Sequence, residues 1–161
     1  MINETLHDVT IEALKNRGVE IEDIAKLTYF LEEKYIPGLQ LNECIESVEH
    51  VLTKHEVQNA ILTGIELDTL AEDGLLKRPL LDIIQVDAGL YGVDEILALS
   101  ILNLYGTIGY TNYGYIDKLK YGILESLNDK STGKVNTFLD DLVAAIAAAA
   151  SGRLAHSHNV M

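Results

Sequence analysis

The chain has 161 residues, of which 48% are hydrophobic and 23% charged, with a formal net charge of -13. These values exclude a disordered polymer and are met most simply by a single domain over residues 1–161 with a substantial core. So acidic a chain is a poor partner for nucleic acid and for electrostatic docking on an anionic membrane.

The acidity is uneven: residues 1–77 carry 16 acids against 6 bases, while residues 78–161 carry 9 against 6. Residues 3–12 mix acids with apolar positions, so no signal peptide is expected at the start. The lone cysteine, Cys44, allows no internal disulfide and fits a reducing cytoplasm. Its apolar neighbour Ile45 favours a packed thiol over a nucleophile.

Read in chain order, nearly every segment has helical spacing. Leu6, Val9, Ala13 and Leu14 predict a first helix behind an Asn3 cap, ended by Gly18. Ile21, Ile24, Thr28, Leu31 and Tyr35 predict a second, stopped by Pro37-Gly38. A third runs on Ile45, Val48, Leu52 and His55. It either turns there or continues through Val57, Ala60, Ile61, Gly64, Ile65 and Asp68 to Asp73-Gly74. Pro79 opens a short helix through Ile84.

The second half differs in texture. Ile96–Tyr110 is apolar on all sides, which a helix tolerates when protein surrounds it. It is too short for a membrane span of about 20 residues and includes Asn103, so no transmembrane segment is expected. Further helices are predicted over Tyr115–Leu127 and from about Thr137 through the alanines of 144–150, with a polar loop at 128–136 between them. No stretch alternates convincingly with period two. The expected fold is all-α: a compact multi-helix bundle whose central buried helix follows Asp94-Glu95.

Acids punctuate this apolar half: Asp87, Asp94-Glu95, Asp117 and Asp140-Asp141. Each has a structural explanation. Gly92 caps a helix with Asp94 and Glu95 in its first turn, Thr137 caps another with Asp140 at its third position, and Asp117 pairs with Lys120. Together they suggest more, because doublets of carboxylates converging from several helices are how bundles hold hard cations. An oxygen-only donor set with no His or Cys suits Mg²⁺ or Mn²⁺ rather than zinc. Lys118 and Lys120 would then face an anionic substrate such as a phosphate. His156 and His158 read as chain end, and no Walker loop or Gly-x-Ser-x-Gly motif occurs.

The order of these acidic blocks resembles the phosphatidylglycerophosphatase A family. The blocks are Asp87-Ala88-Gly89 with Asp94-Glu95, then Asp117-Lys118-Leu119-Lys120, then Asp140-Asp141-Leu142-Val143-Ala144-Ala145. The resemblance covers about residues 80–155. Familiar members have Lys-Pro in the middle block, a Gly-rich run before Asp-Asp and membrane helices. Here Lys120-Tyr121 and residues 135–139 stand in those places, so the chain looks like a soluble branch of the family.

The resemblance implies Mg²⁺-dependent hydrolysis of a phosphomonoester on a glycerophosphate-type headgroup, with a phosphate ester or phospholipid as substrate. It implies Asp94, Glu95, Asp117, Asp140 and Asp141 as metal ligands or base, and Lys120 as the group stabilising phosphate charge. Lys118, Lys120 and Asp87 are the expected substrate contacts. A cytoplasmic enzyme, peripheral to the membrane if its substrate is lipid, is the matching location. Two other classes fit the same residues: a non-catalytic metal-binding interaction protein and a nucleotide phosphohydrolase. Self-association is also expected, since Ile96–Tyr110 and Ala144–Ala150 both need covering.

Overall fold

A computed structural model describes residues 4–158. Among them lie nine α-helices, a short 3-10 turn over Lys130–Thr132 and no strand, so the fold is all-α. Helix α1 (Leu6–Asn16) starts at Thr5, whose hydroxyl accepts from the Asp8 amide while the Asp8 carboxylate accepts from Thr5. That reciprocal pair caps the helix, and the predicted cap Asn3 lies outside the described residues. Helix α2 (Ile21–Glu32) ends before the expected Pro37-Gly38 stop and leaves Tyr35 exposed. A turn at 52–54 separates α3 (Leu41–Val51) from α4 (His55–Glu72), held by a hydrogen bond from Gln58 Nε2 to the Leu52 carbonyl. Helix α5 (Leu80–Gln85) follows Pro79 as expected.

The central buried helix is the last one, and this corrects the sequence reading. Helix α9 (Leu139–Ser157) is enclosed by α2, α3, α4, α6, α7 and α8, and every residue from Leu139 to Gly152 is buried. Small residues make this possible. A Cβ on Gly64 of α4 would collide with Leu142 Cδ1 and Phe138, and one on Gly152 would come within 3.6 Å of the Gly109 amide. Neighbouring helices also bond to the α9 backbone: the Thr28 hydroxyl donates to the Ala147 carbonyl at 3.1 Å and Ser47 to Ala150 at 2.9 Å.

The apolar run after Asp94-Glu95 is two pieces: α6 (Val93–Leu102) and the start of α7 (Thr107–Leu119), joined by a turn at Gly106 with φ of 82°. Asn103 sits in that turn and accepts from the Tyr110 hydroxyl. Helix α6 buries Ala98, Ile101 and Leu102 against the bundle, while Val93 and Ile96 face solvent. Its composition is apolar all round, but only one side has protein over it. The predicted helix over Tyr115–Leu127 also breaks, at Lys120, before α8 (Ile123–Leu127).

Candidate active site

Three helix ends meet at the acidic blocks. Asp94 lies in the first turn of α6, Asp117 in the last turn of α7, and Asp140 and Asp141 in the first turn of α9. Helix starts favour negative charge, which gives Asp94, Asp140 and Asp141 a local reason to sit there.

The start of α9 is fixed from outside. The Asp68 carboxylate, from α4, accepts from the amides of Phe138 at 3.0 Å and Leu139 at 2.9 Å. It takes the capping role expected of Thr137, whose hydroxyl instead donates to the Ile84 carbonyl at 2.6 Å. Just upstream, Glu72 accepts from the Val135 amide and from Arg17, and Arg17 also donates to the Val135 carbonyl and to Asn136. The two networks clamp the strand of chain that delivers Asp140 and Asp141.

One carboxylate oxygen from each of Asp117, Asp140 and Asp141 lies within 4.8 Å of the others. Lys120 Nζ joins two of them, at 2.7 Å from Asp117 Oδ1 and 3.0 Å from Asp140 Oδ2. The lysine reaches back because it ends α7 in the left-handed conformation, with φ of 51° and ψ of 45°. Burial alone would favour its neutral form. Asp140 and Asp117 outweigh that and hold its pKa above the ordinary lysine value.

The carboxylates respond in the opposite sense. Burial raises the Asp140 pKa, with Lys120 partly offsetting the rise. Asp141 is pushed up further, first by burial and then by Asp140, Asp117 and Asp94. One ammonium does not neutralise three carboxylates, so the group most crowded by like charge keeps its proton. A divalent cation would supply the missing charge, and an all-oxygen donor set of this kind suits Mg²⁺ or Mn²⁺. The residues present therefore fit such an ion.

The other predicted residues are arranged around this trio. Asp94 is buried beside it and contributes to the rise at Asp141. Asp87 is half-buried, pairs with Lys130 at 3.0 Å and adds to the rise at Asp140. Glu95 and Lys118 are exposed, and neither takes part in an ion pair among the described residues. Glu95 lies near enough to Tyr113 to raise its pKa. Two contributors escaped the sequence reading: Asp68, whose partner is 70 residues away, and Tyr113, whose signal was its place one helical turn before Asp117. Cys44 is buried, and burial pushes its thiol up to about 12, as expected for a packed cysteine.

Two Bacillus subtilis proteins are similar. The uncharacterized protein YutG is 64% identical over 143 residues, covering 89% of this chain and 86% of its own length. The uncharacterized protein YpjQ is 54% identical over 151 residues, covering 94% and 85%. The crystal structure of the low temperature requirement C protein from Listeria monocytogenes superposes with a TM-score of 0.95 at 62% identity, covering 97% of this chain and 98% of that one. A Bacillus stearothermophilus protein of unknown function superposes with a TM-score of 0.94 at 65% identity, covering 97% of each chain. No described helix is long and apolar enough to cross a membrane. The family model for Phosphatidylglycerophosphatase A matches residues 21–156, which include every acidic residue of the site, and the chain belongs to that family.

Proposed function

We propose that this protein is a divalent-metal-dependent phosphomonoesterase, releasing inorganic phosphate from a glycerophosphate-type headgroup, with a phospholipid as its substrate. The observation that carries the reading is the convergence of Asp117, Asp140 and Asp141 around Lys120 at the meeting of α7 and α9. Asp117, Asp140 and Asp141 would hold Mg²⁺, with Asp94 beside them. Bound there, Mg²⁺ would offset phosphoryl charge and make water more acidic. Lys120, tethered to Asp117 and Asp140, supplies a positive charge for the phosphoryl group, and its carboxylate partners fix its direction. Burial of Asp140 and Asp141 keeps bulk water from screening these charges.

Two observations favour a lipid substrate. The family is described by a lipid phosphatase activity. Val86, Leu90, Val93 and Ile96 are also exposed along the loop and first turn that carry Asp87 and Asp94. Those side chains would meet acyl or interfacial surface beside the phosphate site.

The test is phosphate release by the purified protein from phosphatidylglycerophosphate in mixed micelles, glycerol 3-phosphate and a nucleoside triphosphate, in Mg²⁺ and in EDTA. The reading requires Mg²⁺-dependent release, fastest from the lipid. A preference for the nucleotide would make the protein a nucleotide phosphohydrolase. Absence of release from all three would leave a metal-binding interaction protein.

A further inference from the structure

Tyr113 is only 8% exposed, and its hydroxyl has no hydrogen-bond partner. Buried tyrosine hydroxyls normally find one. The carboxylates of Asp141, Asp117, Glu95 and Asp140 lie close enough to act on this one electrostatically. None of them takes its proton into a hydrogen bond. Tyr113 stands four residues before Asp117 on α7, so both project from one face of the helix, toward the start of α9. The donor thus shares its helix face with Asp117 of the acidic cluster and has no partner in the protein to receive its proton. Tyr105 carries another unpartnered hydroxyl, but its ring lies under Lys54 and it does not share the cluster.

We propose that Tyr113 is a substrate-binding residue of this site, its hydroxyl donating a hydrogen bond to a non-bridging oxygen of the phosphoryl group held at Asp117, Asp140 and Asp141. The assignment rests on the phosphomonoesterase reading. A neutral phenol is a hydrogen-bond donor at physiological pH, so its partner is an acceptor, and the ionised carboxylates around it offer a phosphoryl oxygen no donor of their own. Together with Lys120, the hydroxyl gives this acid-lined pocket the donors that such an oxygen requires.

Tyr113→Phe removes a single oxygen that bonds nothing within the protein, so the variant keeps its fold. Its melting temperature should equal or exceed that of the unmodified protein, because a buried unsatisfied hydroxyl is lost. Calorimetry with Mg²⁺ alone should give the same affinity for both proteins. Inorganic phosphate added in the presence of Mg²⁺ should bind the variant roughly 10- to 100-fold more weakly, the loss expected for a hydrogen bond to a charged group. In turnover, KM should rise by a similar factor. Equal phosphate affinity in the two proteins would overturn the assignment and leave the phosphatase reading standing. A lowered melting temperature, or an equal loss of Mg²⁺ affinity, would also overturn it by making the hydroxyl structural. If the unmodified protein bound no phosphate with Mg²⁺ present, both would fall.

Discussion

Lys120 shows what one residue gives up to build the site. A non-glycine residue in the left-handed region costs about 1–2 kcal/mol, and this position after a helix usually belongs to glycine. The lysine is there because its ammonium holds Asp117 and Asp140, at 2.7 and 3.0 Å. In sequence, the Asp117–Lys120 spacing was readable as an ion pair on one helix face. The contact to Asp140 was not, since it depends on α7 stopping at Leu119. The same limit applies to the Asp94-Glu95 doublet, which reads as two ligands: successive positions diverge by about 100°, so Asp94 is buried while Glu95 is exposed. Lys120→Met is expected to destabilise the protein in EDTA by about 1–3 kcal/mol. The value lies below that for breaking a fully buried pair because the lysine is 29% exposed. Saturating Mg²⁺ should raise the melting temperature of this variant more than that of the unmodified protein, since the cation replaces the lost charge. Paired thermal melts check this, and an equal Mg²⁺ shift would count against a shared site.

At the scale of elements, the fold was largely legible and its centre was not. Periodicity located the amphipathic α1 to α3 well, because their apolar faces pack on one side, and left the boundary between α3 and α4 open. It misplaced the buried helix because Ile96–Tyr110 carries larger apolar side chains than the alanine-rich 144–150. Burial in this bundle follows side-chain size: small residues admit neighbours on every side, as Gly64 does for Leu142. Asp68 was just as illegible, since a carboxylate from α4 capping α9 leaves no local trace. Removing that cap and leaving buried amides unpaired should cost about 2–4 kcal/mol in Asp68→Ala. Asp68→Asn keeps an acceptor and should cost less. Burial pushes the Asp68 carboxyl up to about 7, against backbone hydrogen bonds that favour its ionised form. Its proton is therefore held more tightly in the folded state. The stability that proton confers is full below about pH 4 and is lost as pH rises through about 7. Urea unfolding from pH 4 to 8 should show a shallower decline with pH in Asp68→Asn than in the unmodified protein.

Seen whole, the molecule covers its alanine-rich helix with its own chain, so that segment gives no reason for association. The outer side of α6 and the loop before it still do. Val86, Leu90, Val93, Ile96 and Leu104 are all exposed, Leu90 fully so. Apolar patches of this kind mark surfaces that meet a partner or a membrane. Light scattering at micromolar concentration is expected to give a mass above the 17.7 kDa of one chain, and a clean monomer would exclude self-association. The central claim concerns the place where α7 and α9 meet, and Asp141 tests it most directly. Crowding by burial, Asp140 and Asp117 keeps that carboxyl protonated well above the usual range, so Asp141→Asn mimics the form the fold already tolerates and should melt like the unmodified protein in EDTA. The decisive measurement is Mg²⁺-dependent phosphate release from phosphatidylglycerophosphate by the two proteins side by side. The account predicts release by the unmodified protein in Mg²⁺, none in EDTA, and a loss of about a hundred- to a thousandfold in Asp141→Asn, as expected when charge stabilisation at a reacting phosphate is removed. Equal release by both proteins, or release that EDTA leaves untouched, would contradict it.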